Sequence, residues 1–309
     1  MKAVRIHSYG KSEQLRLEEA PQPKPEAGQV VVHVFCAGVN PVDWKIREGY
    51  LRGVHTEHFP LTLGQDFSGQ VIGMGPGAHG VDIGARVFGF ASGGAYAEYA
   101  LANPEHIAPL PGPVSYETGA ALPTPGVTAY QALHDHAQIQ SGQSLLVHGG
   151  AGAVGSLALQ LARLMQVHCT ATISHEADAA FLRELGVSHV ILNGKDRFEE
   201  RLQNLDAVLD LIGGDLQTRS LERIRRGGVL VSTVGFAPGT EDAAQRRGVR
   251  AVAMVMQRRR KDLEELARLT AQGELQVRVA RVLPFEQARQ AQDLSQAGEA
   301  RGKVMLRVA

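Results

Sequence analysis

The stretch LLVHGGAGAVGSLALQLARLM, Leu145 to Met165, decides how this chain folds. It opens on a short apolar run, Leu145, Leu146 and Val147, of the kind that fits a buried strand. It closes on Val154, Leu157, Ala158, Leu161 and Leu164, which recur at helical spacing. Between the two lies Gly150-x-Gly152-x-x-Gly155. In a strand-turn-helix setting the glycines serve three separate needs, namely the tight turn, the close approach of a pyrophosphate, and the packing of helix on sheet. The helix start, Ala153 and Val154 with Gly155, then offers unpaired N–H groups and a positive dipole end to the phosphates. A plain glycine-rich turn is the competing reading. The strand before and the helix after favour a dinucleotide site.

The next strand bears on which nicotinamide cofactor is held. A site for NAD usually carries Asp or Glu roughly 20 residues past the glycines, where it holds the ribose 2′-hydroxyl. Here that strand reads VHCTATIS, Val167 to Ser174, and ends without a carboxylate. A carboxylate there would repel the 2′-phosphate, so its absence favours NADPH. Ser174 and His175 are the candidate phosphate contacts, although Ser174 also suits a helix cap.

Composition excludes several classes. The 309 residues suggest roughly two domains. Thirty-two basic residues against 32 acidic ones give no net field to attract nucleic acid or an anionic membrane. Only Cys36 and Cys169 are present, which suits a reducing cytoplasm rather than a disulfide framework. The opening MKAVRIHSYG lacks a signal-peptide core, and no apolar run is long enough to span a bilayer. The expected location is cytoplasmic.

The chain changes character near residue 115. Before it, β-rich runs such as Gln29 to Val39, Gly69 to Gly75 and Ala85 to Phe90 are separated by Gly and Pro turns, as in a compact β-barrel-like domain. After it, strands and helices alternate. Strands are expected at Leu145–Val147, Val167–Ile173, His189–Leu192, Ala207–Leu211 and Val229–Val234. Helices are expected from Ala153, near Ala177–Leu185 and near Leu216–Arg225. This rhythm demands a parallel sheet covered on both faces. A helix from about Asp262 leads into QVRVARVL, PFEQARQAQDLSQ and GKVMLRV, whose strands resemble those of the first domain. The expected class is therefore α/β, with domains at 1–115 and 116–265 and a return segment, 266–309, completing the first.

Over nearly its full length the chain resembles the medium-chain dehydrogenase/reductase superfamily, in which a GroES-like catalytic domain is joined to a doubly wound Rossmann domain. The resemblance rests on AGVNPVDWKIREG (Ala37 to Gly49), GQDFSGQV (Gly64 to Val71), VFGFASGGAYAEYA (Val87 to Ala100), LPTPGVTAYQAL (Leu122 to Leu133), the glycine stretch, and GKVML (Gly302 to Leu306). These motifs point to its zinc-independent, quinone-oxidoreductase-like branch. In zinc-containing relatives a Cys and a His hold the catalytic metal at positions that correspond here to Asn40 and Gln65, and amides are poor zinc ligands. Two cysteines cannot supply the four-cysteine zinc lobe. The pairs His55-x-x-His58 and His134-x-His136 are the nearest approach to ligand spacing, and each suits a polar loop or helix face better. No metal is expected.

The chemistry left is hydride transfer from reduced NADP to an electron-poor acceptor, a quinone or an enone. The resemblance implies that Asn40 lies near the nicotinamide and ribose, with Asp43 supporting its loop. It further implies Thr128 beside the nicotinamide, Gly235 and Phe236 bordering the ring, and Lys303 approaching from the returning segment. Tyr50 is the first candidate proton donor and Lys45 the second; Tyr50 also suits an ordinary rim aromatic. Asp66 and Asp210 read as structural carboxylates.

GVRAVAMVMQ, Gly248 to Gln257, is apolar and β-compatible at the expected sheet edge, which predicts a homodimer by sheet extension. The RRRK that follows, Arg258 to Lys261, reads as a solvated helix start rather than an RNA contact. The rival functions are a low-turnover NADPH-binding redox sensor or nucleic-acid binder, and a zinc alcohol dehydrogenase.

Overall fold

The computed structural model describes residues 1–53, 58–187, 189–298 and 300–309. The chain divides into two compact units, one of residues 1–127 with 258–309 and one of residues 128–257.

In the first unit, among the described residues, a three-stranded sheet joins β1 (Lys2–Ile6), β2 (Arg16–Glu19) and β4 (Leu61–Thr62), with β1 in the middle. A seven-stranded sheet is built around β3 (Val30–Val39) and β5 (Asp66–Met74). It also takes in β6 (Arg86–Phe90), β7 (Tyr99–Ala102), β8 (Ile107–Pro109), β15 (Val279–Pro284) and β16 (Lys303–Arg307). The register of β16 on β3, Val304 opposite Val39 through Arg307 opposite Cys36, shows that the chain's end completes the sheet its start began. Inward residues of both sheets, among them Val4, Ile6, Val32, Phe67, Val87 and Leu306, form one core together with Tyr96 from the segment before β7.

The helices explain where the units divide. Helix α1 (Pro41–Glu48) follows β3, and α2 (Tyr116–Ala121) lies against β3 and β5. Ala120 and Ala121 share a buried cluster with Cys36 and Met305, and Gly38 leaves room for the carbonyl of Ala120. The boundary therefore falls at 127/128, later than the 115/116 suggested by the change in sequence character. Helix α3 (Pro123–Gln131) runs across it. At the other end α9 (Arg260–Ala271) packs on β8, with Leu266 over Gly126, so the return begins at Arg258 and not at 266. Helix α10 (Ala288–Ala297) covers β16.

The second unit carries, among its described residues, a six-stranded parallel sheet. Its strands are β9 (Ser144–His148), β10 (His168–Ile173), β11 (His189–Leu192), β12 (Leu205–Asp210), β13 (Ile224–Ser232) and β14 (Arg250–Ala253), in spatial order β11-β10-β9-β12-β13-β14. Counted along the chain this is 3-2-1-4-5-6, the doubly wound Rossmann order. The connecting helices are α4 (Ala153–Leu164), α5 (Asp178–Glu184), α6 (Phe198–Arg201), α7 (Asp215–Leu221) and α8 (Thr240–Arg247). Helix α7 stops at Leu221, short of the expected Arg225, because the chain must enter β13 at Ile224. Of the apolar run 248–257 only Arg250–Ala253 is strand, and it lies at the sheet edge. Among the described residues no helix is long and apolar enough to cross a membrane.

Candidate functional site

The glycine turn lies where the sheet topology reverses. From β9 the chain winds outward to β10 and then returns to β12 on the other side, so the crevice at the carboxyl end of β9 is the topological switch point. Helix α4 starts there with Gly152 as its N-cap residue, and Ser156 N–H donates to Gly152 O at 2.9 Å. The first N–H groups of α4, at Ala153, Val154 and Gly155, precede the helix's own bonding pattern.

The three glycines are bare for different reasons. A Cβ on Gly150 would meet Ala171 Cβ at 2.6 Å and Leu159 Cδ1 at 3.2 Å, so this residue lets the turn sit against β10 and α4. A Cβ on Gly155 would press on the carbonyl oxygen of Gly149 and come within 2.8 Å of Gly150 Cα. Gly152 differs: its added Cβ would meet nothing nearer than Gly149 O at 3.4 Å, an ordinary contact. The fold itself does not require a glycine there. A space kept bare beside a helix N-terminus fits a diphosphate.

Loops around this turn are held by buried polar groups. Asp210, fully buried, accepts from the N–H groups of Ile212 (3.0 Å) and Gly213 (2.8 Å), from Gln217 Nε2 (2.7 Å) and from Ser232 Oγ (2.9 Å). Gln217 also donates to Gly235 O at 2.7 Å and accepts from Ala237 N–H at 2.7 Å. These bonds fix the segment with Gly235, whose φ of 77° suits glycine, while Phe236 packs on the core cluster of Leu146, Leu221 and Leu230. Ile212, beside Gly149, and Val234, beside Gly213, remain 54% and 47% exposed, apolar surface that sequence periodicity does not single out. His148, the last residue of β9, is buried between Thr172 Oγ1 (3.1 Å) and Ser220 Oγ (2.8 Å), and burial pulls its pKa down to about 4. Ser174 and His175 are exposed just past β10. The N-cap of α5 is Ala177, which removes the capping explanation for Ser174; the next carboxylates along the chain are exposed Glu176 and buried Asp178. Thr128 is buried in the same unit.

In the first unit a second polar cluster surrounds Asn40, the N-cap residue of α1. Its Nδ2 donates to Asp66 Oδ2 at 2.8 Å, and its Oδ1 accepts from Lys303 Nζ. Lys303 also pairs with Asp66 Oδ2 at 3.2 Å, and Asp66 accepts from Thr124 Oγ1 (2.5 Å) and Thr124 N–H (3.1 Å). All three side chains, Asn40, Asp66 and Lys303, are at most 3% exposed. With its carboxylate so fully engaged, Asp66 has a structural role, and Lys303 is tied back to it. Asp43 braces the loop as expected, accepting from Asn40 N–H and from Tyr96 OH, each at 2.8 Å. Its other oxygen has no partner among the described residues, and burial raises its pKa to about 7. Sequence reasoning missed Tyr96, fully buried in the GGAYAEYA motif. It also missed Arg47, which is fully buried and anchors α1 through Gly10 O and the Gln292 and Gln296 side chains.

The candidate proton donors are not part of this cluster. Tyr50 is 70% exposed, with its ring edge-on to Trp44, and Lys45 Nζ lies 5.6 Å from the Trp44 ring. The expectation of a wholly solvated RRRK segment needs correcting: Arg258 is half-buried, donating to Gln65 Oε1 (2.7 Å) and Ala91 O (3.2 Å) beside the Phe90 ring. Burial lowers its pKa.

These bonds also test the fit to zinc. The two amides at the positions corresponding to zinc ligands already accept from cations, Asn40 from Lys303 and Gln65 from Arg258. A dication there would face an ammonium and a guanidinium across neutral oxygens, so the residues do not fit the metal. Of the two histidine pairs, His55 lies outside the described residues. Among the described residues no group of three or more His, Cys, Asp and Glu is placed to share an ion.

Comparison with known proteins places this geometry. Residues 26–112 match the family described as alcohol dehydrogenase GroES-like domain, and residues 185–306 match the one described as zinc-binding dehydrogenase. A quinone oxidoreductase of Mus musculus is 31% identical, over 75% of this chain and 72% of the relative. The structure of the quinone oxidoreductase from Coxiella burnetii superposes with a TM-score of 0.94 at 32% identity, covering 100% of this chain and 99% of that one. That of the Escherichia coli quinone oxidoreductase complexed with NADPH superposes with a TM-score of 0.91 at 26% identity, covering 100% of both chains. A GroES-like unit, a Rossmann unit and these relatives together establish that the chain is an oxidoreductase of the medium-chain dehydrogenase/reductase superfamily, in its quinone-oxidoreductase-like branch.

Proposed function

We propose that this protein is an NADPH-dependent, zinc-independent reductase of quinones or α,β-unsaturated carbonyl compounds. The observation that carries the reading is Gly152, a bare residue at the switch point that no protein atom requires to be bare. Gly150, Gly152 and Gly155 with the N–H groups of Ala153 and Val154 would hold the diphosphate. Ser174 and His175, exposed past β10, would take the 2′-phosphate. Gly235, Phe236 and Thr128 would border the nicotinamide, and Asn40 and Lys303 are the proposed contacts of the first unit. When bound, the cofactor supplies a hydride to an electron-poor carbon or quinone.

The residues of the chain supply orientation and a proton. The Asn40 amide is held in one orientation, its oxygen toward Lys303 and its nitrogen toward Asp66, which supports a positioning role. Tyr50 is the proposed proton donor, supported by its exposure, and Lys45 the alternate. The thiols of buried Cys36 and half-buried Cys169, each pushed up to about 12 by desolvation, are poor nucleophiles at neutral pH, which weighs against a thiol-based sensor. The outer edge of β14 pairs with no other strand among the described residues and supports a homodimer by sheet extension.

The test is oxidation of NADPH and of NADH by a panel of quinones and enones, with elemental analysis for zinc alongside. Turnover with NADPH in a preparation lacking zinc is the expected result. Tight NADPH binding with no turnover across the panel would favour a binding protein. Stoichiometric zinc with chelator-sensitive alcohol oxidation would replace the reading altogether.

A further inference from the structure

We propose that an arginine-lined cleft in the second unit, formed by Arg223, Arg225, Arg226, Arg246 and Arg247, binds a small polyphosphate anion. The cleft has a volume of about 570 Å³, within the roughly 300–1,000 Å³ of small-molecule sites. Glu222 is the one carboxylate among its described lining residues.

Its place in the fold separates it from the glycine turn. The cleft lies at the start of β13, whereas the turn follows the end of β9. Strands β9, β12 and β13 are parallel, so starts and ends occupy opposite edges of the sheet. With the strand rise of about 3.3 Å per residue, the length of β12 puts roughly 20 Å between them.

The cleft is built by the backbone. Leu205 pairs with Ile224 and Ala207 with Val229, so the residues between Ile224 and Val229 bulge out of the ladder and carry Arg225 and Arg226 with them. Gly227, at φ 79°, donates to Gly248 O at 2.8 Å, which ties the bulge to the end of α8, where Arg246 and Arg247 sit.

The charges there are only partly neutralised. Arg225 pairs with Asp206 at 2.7 Å and Arg223 with Glu222 at 3.4 Å. Arg247 donates to the carbonyls of Leu221 (2.7 Å) and Glu222 (3.2 Å), which carry no charge. Among the described residues Arg226 and Arg246 have no carboxylate partner, and the buried Nε of Arg223 has no hydrogen bond. The dipole of α8 favours Arg246 and Arg247 at its end. It does not account for five guanidinium groups in one cleft of a chain whose acids and bases balance at 32 each. Guanidinium forks match phosphate oxygens in pairs, and an anion of several charges relieves the mutual repulsion of the cluster.

The experiment is calorimetric titration of the full chain with inorganic triphosphate, pyrophosphate and sulfate, each at a constant ionic strength of about 0.15 M. Saturable triphosphate binding that weakens with pyrophosphate and vanishes with sulfate is expected. The double variant Arg226→Gln/Arg246→Gln should bind triphosphate about tenfold more weakly or worse, with an unchanged unfolding midpoint because both side chains are exposed. Gly152→Ala, which probes the other end of the sheet, and Arg16→Gln, an exposed arginine of the first unit, should bind triphosphate like the wild type. Equal weak binding of all three anions, undiminished affinity in the double variant, or loss in Gly152→Ala would overturn the proposal. So would a single-stranded oligonucleotide that binds through these arginines and that triphosphate fails to displace.

Discussion

Replacing Gly152 by alanine separates a ligand's demand for bare backbone from the fold's. The backbone at this residue is extended, φ −69° and ψ 171°, and open to any residue. The added Cβ finds Gly149 O at 3.4 Å and no closer atom. Alanine lowers the entropy of the unfolded chain, worth about 0.4–1 kcal/mol, and is a poorer N-cap than glycine by up to about 1 kcal/mol. The two nearly offset, so the unfolding free energy should change by less than about 1 kcal/mol. A diphosphate at this turn would meet the methyl group directly, and overpacking costs about 1–3 kcal/mol, equivalent to a Kd raised roughly five- to 150-fold. Gly150→Ala and Gly155→Ala should instead destabilise by about 1–3 kcal/mol or more, because Ala171 Cβ and the Gly149–Gly150 backbone cannot swing aside. NADPH fluorescence titration and urea unfolding on the three variants give both readouts. Wild-type NADPH affinity in Gly152→Ala would refute the reasoning, as would instability of that variant equal to Gly155→Ala.

Lys303→Met leaves Asp66 buried without its cation and should cost about 3–5 kcal/mol; the double variant with Asp66→Asn should cost less than the sum of the singles in urea unfolding, and strict additivity would contradict the pairing. His148 titrates at about 4 in the folded chain against an ordinary 6.5. Its contribution is therefore present above pH 6.5 and lost as pH falls toward 4, by roughly 3 kcal/mol. Asp43, raised to about 7, acts in the opposite sense: its contribution is present below its ordinary 3.8 and lost as pH rises toward 7. The check is thus the difference between wild type and His148→Gln, which should shrink on acidification from pH 6.5 to 4; a constant difference would show that His148 is not buried neutral. For the assembly, Val252→Lys/Val255→Lys should convert a dimer to a monomer in sedimentation, and a wild-type protein already monomeric at micromolar concentration would exclude sheet extension through β14.

The second unit was legible because its signals are local. Glycine spacing, a short apolar run and a helical stripe all lie within the 21 residues from Leu145 to Met165, and each reports on a backbone geometry that neighbouring residues must satisfy. Asp210 and Asp43 could be read as loop braces for the same reason, since their partners include backbone N–H groups two or three residues away. Tertiary packing decided what lies far apart in sequence. The Asn40–Asp66–Lys303 cluster unites residues separated by up to 263 positions, and nothing local to Lys303 indicates that its ammonium is committed to a buried carboxylate. Arg258 reads as a solvated charge because its neighbours Arg259 to Lys261 are charged too, yet its partners Gln65 and Ala91 arrive from far earlier in the chain. The unit boundaries shifted likewise, as α2 and α9 were claimed by strands of the first unit. Sequence determines what a backbone segment can become; which distant charge neutralises which, and so which polar group remains free for chemistry, is decided only when the chain has folded.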